Sequence, residues 1–286
     1  MVAFVSQLRG WGKEAVHRVR KRFLFRNLKD RTPTLVYQMG KVGSSTVART
    51  LDGLREPAPV VRVHSLNPSK VARSIETLRK SLGYLREHVV TSSVLVRKQL
   101  DWGEFPCRII TLTREPIGRA ISFAFQDWKR QLPEVSGLDE LRPDRMVELV
   151  MEKLRPGSLH ANPGQWFERE LKSVFGIDVM KTPYDFEQGY TKIRSGPVNV
   201  LVMRMEDLDR ALRAGLADLY DLDPQRVRMR SSNVGKNKEY ADLQGEVKER
   251  LTVPPSVSER VLTTDYAKHF YGPDLDRIRD KWAEYP

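Results

Sequence analysis

Apolar residues along the chain group in two ways: short continuous runs, and stripes spaced three or four positions apart. The run Leu35-Val36-Tyr37-Gln38-Met39 reads as a buried strand over 34–39, and a glycine turn leads from it into a helix near 45–54. Pro57 and Pro59 mark a break before a strand over 60–63 that ends at His64. Val71, Ile75, Leu78, Leu82 and Leu85 form one stripe, so residues 69–100 read mostly as helix. The run from Cys107 to Thr113 is a third strand by its β-branched content. Pro116 suits the first position of the helix after it, and Ile117, Ile121, Phe125 and Trp128 repeat at helical spacing. Residues 131–189 read as a largely helical insertion interrupted by five prolines. Strands near 190–194 and 198–204 complete the sheet, and the remainder is helical. The alternation predicts an α/β fold with a mainly parallel sheet, flanking helices and right-handed crossovers. Ligands of such sheets sit at the C-terminal ends of the strands. Lys41, His64 and Arg114 each end or follow a predicted strand.

Charge changes the picture at the N-terminus. The 286 residues carry a formal net charge of +12. More than half of that excess lies in residues 1–31, where Arg9, Lys13, Arg18, Arg20, Lys21, Arg22, Arg26, Lys29 and Arg31 face only Glu14 and Asp30. Phe4, Leu8, Trp11, Ala15, Val19 and Phe23 recur there at spacings of three or four. This is a basic amphipathic helix, suited to an anionic membrane surface, with packing on its own domain as the alternative. The expected division is this segment over 1–31 and a single α/β domain over 32–286. Nucleic acid is disfavoured as a partner, because aromatic residues are not interleaved with the later basic cluster as stacking platforms. The single cysteine, Cys107, cannot form an internal disulfide and sits in an apolar strand, which suits a core position in a reducing compartment. With no apolar run of spanning length and no secretory signal, the expected location is cytoplasmic, with the basic segment able to reach the inner face of the membrane. No Cys/His cluster has metal-ligand spacing.

The first chemical motif is Gly40-Lys41-Val42-Gly43-Ser44-Ser45-Thr46. A strand, a glycine turn and a hydroxyl-rich helix start make a seat for a phosphate-like anion, because unpaired N–H groups and the positive end of the helix dipole meet there. A plain turn with Ser44 or Ser45 as helix cap is the alternative. The motif is not the G-x-x-x-x-G-K-[ST] loop of ATP-binding proteins, since Lys41 precedes Gly43. The second motif is Arg114-Glu115-Pro116 with Ser122 eight residues after the arginine. An arginine at this strand tip, where phosphoryl-transfer proteins of the ATP-loop type carry a magnesium-binding aspartate, attracts a phosphate directly. The run Arg204-Met205-Glu206-Asp207-Leu208 reads as structural, a charge pair with helix-start carboxylates. Asn233-Val234-Gly235-Lys236-Asn237-Lys238 is a polar basic loop ahead of an amphipathic helix.

The order Lys-x-Gly-[Ser/Thr]-[Ser/Thr] resembles the 5′-phosphosulfate loop of sulfotransferases, which use 3′-phosphoadenosine-5′-phosphosulfate (PAPS). The Arg114/Ser122 spacing is similar to their 3′-phosphate site, with Glu115 in place of the common aspartate. The chain resembles, over roughly 34–282, a sulfotransferase-like group of bacterial capsular polysaccharide synthesis proteins. Besides the two motifs, Val63-His64-Ser65-Leu66, the Asn233 loop and His269-Phe270-Tyr271 fit it. The resemblance implies the P-loop-like sulfotransferase fold and sulfuryl transfer from PAPS to a carbohydrate hydroxyl without a metal. It assigns Gly40, Lys41, Val42, Gly43, Ser44, Ser45 and Thr46 to the phosphosulfate, Arg114 and Ser122 to the 3′-phosphate, and Asn233, Gly235, Lys236 and Lys238 to a loop over it. The insertion is then expected to wall the acceptor cleft. His64 is the expected general base, titrating near ~6–7, ahead of His160, His269, Glu115 and Glu168. An ATP-dependent phosphotransferase and a catalytically inactive anion-binding protein are the competing readings.

Overall fold

The computed structural model describes residues 2–26, 28, 31–54, 59–158, 160–230 and 239–283. Its β-branched runs form β1 (Thr34–Tyr37), β2 (Val60–Val63), β3 (Cys107–Thr113), β4 (Tyr190–Ser195) and β5 (Val198–Arg204). They make one sheet of order β2-β1-β3-β5-β4. β1, β2, β3 and β5 pair in parallel, and β4 runs antiparallel along β5. The reversal follows from the connection: only Gly196 and Pro197 join β4 to β5, and a parallel neighbour needs a crossover of a dozen residues or more. β3 and β5 are buried on both faces, as a sheet covered by helices on each side requires. Cys107 lies in that core, where burial pushes its thiol up to about 12 and keeps it protonated.

The helices are α1 (Val2–Leu24), α2 (Ser44–Leu54), α3 (Pro68–Leu82), α4 (Glu87–Val96), α5 (Pro116–Gln131) and α6 (Pro143–Lys153). A short α7 (Gly164–Phe167) continues through a π-helical turn (Glu168–Lys172) into α8 (Ser173–Phe175). Then come α9 (Leu208–Tyr220), α10 (Ala241–Arg250), α11 (Pro255–Leu262), α12 (Asp265–Tyr271) and α13 (Leu275–Trp282). The α/β class, the mainly parallel sheet and the helical insertion agree with the sequence reading.

One expectation needs correction. Residues 69–100 are two helices, because Gly83 adopts φ 78° and its N–H closes α3 on the Arg79 carbonyl. α1 lies against the domain, and among its described side chains Gly10, Glu14 and Lys21, rather than the apolar stripe, face it. A Cβ at Gly10 would lie 2.3 Å from the Tyr84 ring, so glycine permits the contact. The buried Glu14 carboxylate accepts from Arg18, from Arg79 and from the backbone N–H of Leu85 at 2.8 Å, while Lys21 pairs with Glu87. Val16, Val19 and Phe23 are left 66%, 68% and 79% exposed. Trp11 donates its indole N–H to the Gly83 carbonyl at 2.6 Å. Phe4 and Leu8 of the expected stripe lie outside the described side chains.

Candidate active site

The chain leaves β1 through the buried Gln38 and Met39 and turns at Gly40–Gly43 before α2 starts at Ser44. The turn uses two left-handed residues, Gly43 at φ 92° and Lys41 at φ 70°. For a lysine that conformation costs on the order of 1–3 kcal/mol and concentrates at binding sites. Gly43 cannot be replaced cheaply, since a Cβ there would meet Leu208 at 2.9 Å on a left-handed backbone, and a Cβ at Gly40 would press on the tip of the Phe123 ring at 3.1 Å. The amides opening α2 point their positive end at this turn.

Arg114 follows the tip of β3 next to the turn. Its Nη1 donates to the Lys41 carbonyl at 3.2 Å, so the two sequence motifs touch. Its backbone is clamped by Tyr266, whose hydroxyl accepts from Arg114 N at 3.1 Å and donates to Arg114 O at 2.9 Å. Glu115 caps α5, accepting from Ile117 N at 2.9 Å and Gly118 N at 2.6 Å. Burial and then the Glu206 carboxylate push its pKa up. Glu206 in turn accepts from the Glu115 N–H at 3.0 Å and from the Tyr271 hydroxyl at 3.1 Å. Arg204 pairs with Asp207 and Asp274. The structural reading of Arg204, Glu206 and Asp207 therefore holds, and Glu206 braces the turn that presents Arg114.

A cleft of about 780 Å³ opens at these strand ends. Gly40, Lys41, Gly43, Ser44, Ser45 and Thr46 line one side of it, Arg114 and Ser122 another, and His64 a third. Among the described residues, Lys41, Arg62, Arg86, Arg114 and Arg130 line it against a single carboxylate, Asp209. The Val42 side chain is fully buried in the core, which leaves its backbone for a ligand. Asn233, Gly235, Lys236 and Lys238 lie outside the described residues; Met229, shortly before them, lines the cleft.

His64 follows β2. Its Nδ1 is 2.9 Å from the Gln38 carbonyl, which can only accept, so Nδ1 carries the proton and Nε2 a lone pair. Burial, and then Lys70 and Arg62, hold the imidazole below its ordinary value of 6.5. The expected titration near 6–7 is thus moved downward, and the ring is neutral at pH 7. The turn after His64 is organised by Glu170, a carboxylate the sequence reading missed. It is fully buried on the π-helical turn and accepts from Leu66 N at 2.9 Å, Asn67 N at 3.1 Å and the Ser65 hydroxyl at 2.6 Å, with Lys70 at 3.2 Å. The Tyr37 hydroxyl also donates to it. The Trp166 indole donates to the His64 carbonyl at 3.0 Å.

The other base candidates separate clearly. His160 lines the cleft, 4.4 Å from the Phe123 ring. Glu115 is engaged as a helix cap, Glu168 pairs with Lys172 at 3.0 Å, and neither they nor His269 line the cleft. His88 was not expected, yet its ring stands 5.1 Å from that of His64 and lines the same space. A second cavity of about 230 Å³ shares Gly40, His64, His88, Phe123 and His160 with the larger one. Gln165, Trp166 and Arg169 of the insertion also line it. The site is thus a basic cleft with an imidazole between it and a smaller side cavity, an arrangement suited to holding an anion.

The family model described as "Putative capsular polysaccharide synthesis protein" matches residues 140–272, which hold most of the insertion, β4, β5 and α9 but not Lys41, His64, Arg114 or Ser122. Over that stretch the chain is similar to the family its motifs resemble. No curated protein matches the chain. Among solved structures, a sulfotransferase from Alicyclobacillus acidocaldarius aligns over 89% of this chain and 97% of its own, with 13% identity and a TM-score of 0.35.

Proposed function

We propose that the protein is a sulfotransferase that moves a sulfuryl group from PAPS to a hydroxyl of a carbohydrate acceptor. The observation that carries the reading is the contact of the two anion motifs: Arg114 bonds the Lys41 carbonyl, and both face one cleft with Ser122. The residues present fit a doubly anionic nucleotide. Two glycines keep the loop open to a close backbone approach, the walls are strongly basic, and the volume falls in the range of ligand pockets. When bound, PAPS supplies an activated sulfuryl group and leaves as 3′-phosphoadenosine-5′-phosphate (PAP). The amides opening α2 and the Lys41 ammonium stabilise negative charge at the loop from fixed positions, which costs no reorganisation during reaction. Arg114 and Ser122 hold the second phosphate. His64 takes the proton of the acceptor hydroxyl on Nε2, because Nδ1 is committed to the Gln38 carbonyl.

The competing ATP-dependent reading asks for a carboxylate at the tip of β3, where Arg114 stands. Titrating the protein with PAP and, separately, with ATP and magnesium tests the choice. Tight PAP binding and weak ATP binding support the sulfotransferase; the reverse order overturns it.

The outward stripe of α1 favours a docking role beside catalysis. Val16, Val19 and Phe23 are exposed and flanked by exposed Lys13, Arg20 and Arg22. An apolar ridge between cations complements an anionic bilayer surface. No helix among the described residues is long and apolar enough to cross a membrane.

A further inference from the structure

Arg119 lies in the second turn of α5, only 5% exposed. Its Nε and Nη1 have no hydrogen-bond partner, and its guanidinium lies 4.8 Å from the centre of the Phe123 ring. Burial, the leading cause, pulls its pKa down to about 10, so it stays charged at neutral pH. The same molecule shows what a structural buried arginine looks like. Arg204, 6% exposed, is satisfied by Asp207, Asp274 and the Phe270 carbonyl. A buried guanidinium with two unbonded N–H groups is costly to keep unless a ligand completes it.

Arg119 lines the smaller cavity and not the larger cleft. Among the described residues two further cations line that cavity, Lys70 and Arg169, and no Asp or Glu does. Lys70 is already paired with Glu170, and Arg169 donates to Gln165 at 3.0 Å, so Arg119 is the cation left to serve a ligand. Trp166, fixed through its indole N–H, adds apolar surface to the cavity wall.

We propose that the smaller cavity is the acceptor subsite and that it selects an acidic sugar, a uronate whose carboxylate is received by the Arg119 guanidinium. A planar two-oxygen anion matches the guanidinium fork, and a neutral sugar leaves it unpaired. The inference rests on the larger cleft being the donor site. It adds the acceptor class: a uronate-containing glycan, with the hydroxyl to be modified held near His64, which lines both cavities.

The test is calorimetric. Oligosaccharides containing glucuronate, galacturonate or mannuronate, each paired with its carboxyl-reduced neutral counterpart, are titrated into the protein with and without saturating PAP. The charged member of at least one pair should bind tenfold or more tightly than its neutral partner. Arg119→Met should erase that preference, and Arg119→Lys should retain part of it. Both variants should bind PAP within about twofold of wild type. Because an unpaired buried charge is removed, the thermal midpoint of Arg119→Met should not fall. Equal binding within all three pairs, or no binding of any, overturns the proposal while PAP binding is intact. A tenfold loss of PAP affinity in Arg119→Met would assign the arginine to the donor, and unfolding of both variants would make it structural; either result also overturns it. Failure of wild type to bind PAP would instead strike the donor reading, and the titrations without PAP would still report on the subsite.

Discussion

Acidification should destabilise this protein through its site before its surface carboxylates matter. His88 stands 5.1 Å from His64. Burial first, then the charges of His64 and Arg86, bring its pKa from 6.5 down to about 4. Since the folded-state value lies below the unfolded one, the unfolded chain takes up the proton first as pH falls. The stability tied to neutral His88 is complete above the unfolded value and is lost as pH drops toward the folded one. A shift of this size corresponds to at most about 3 kcal/mol, and to about 2 kcal/mol between pH 7 and pH 5. Partial solvent access at the cleft reduces this, so a loss of about 1–2 kcal/mol is expected. Urea unfolding of wild type and His88→Asn at about pH 7.5, 6 and 5 isolates the effect, because the carboxylates titrate alike in both. The stability of wild type should fall toward that of the variant by about 1–2 kcal/mol over this interval. Parallel pH curves for the two proteins would refute the neutral buried imidazole.

The remaining predictions concern the chemistry and the surface. His64→Asn should cut turnover by about 10²–10⁴ with PAP affinity unchanged, as loss of a general base does. The wild-type rate should be flat above neutrality and decline only below the ordinary histidine value of 6.5, because burial lowers the His64 pKa; an acid limb centred above that value would contradict the assignment. Lys41→Gly keeps the φ 70° turn comfortable while removing the ammonium, so turnover should fall by about a hundredfold or more with the thermal midpoint nearly unchanged. A normal rate in that variant would make the lysine dispensable. Replacing Val16, Val19 and Phe23 together by Ser should abolish co-sedimentation with anionic vesicles and leave PAP affinity intact. Aggregation or unfolding of that triple variant would show that the ridge packs inside the protein.

Much of the scaffold was legible because strands carry local signals. The limits of β2 and β3 were read directly from β-branched runs, and α5 from Pro116 and its apolar spacing. The two anion motifs were legible because glycine, lysine and hydroxyl residues follow one another along the chain. What escaped the reading depends on partners far away in sequence. Glu14 reads as one charge in a basic helix until Arg79 and Leu85 N satisfy it, and that contact turns the apolar ridge of α1 outward. Glu170 reads as a helix-surface glutamate; its partners Ser65, Leu66 and Asn67 lie more than 100 residues earlier. Arg119 looks like any polar helical residue, since burial without a partner leaves no trace in composition. The break at Gly83 was locally encoded, but a continuous apolar stripe on both sides concealed it.

The central claim is that one cleft binds a nucleotide carrying both a 5′-phosphate and a 3′-phosphate, with Arg114 and Ser122 reading the second. The most direct measurement is a calorimetric titration of wild type and Arg114→Ala with PAP and with adenosine 5′-phosphosulfate, which lacks the 3′ group. Loss of a charge-assisted contact of about 1.5–3 kcal/mol should weaken PAP binding by about ten- to a hundredfold. Binding of the ligand without a 3′-phosphate should change little, and ATP with magnesium should bind wild type more weakly than PAP. Equal losses for both adenosine ligands, or a preference of wild type for ATP with magnesium, would contradict the account.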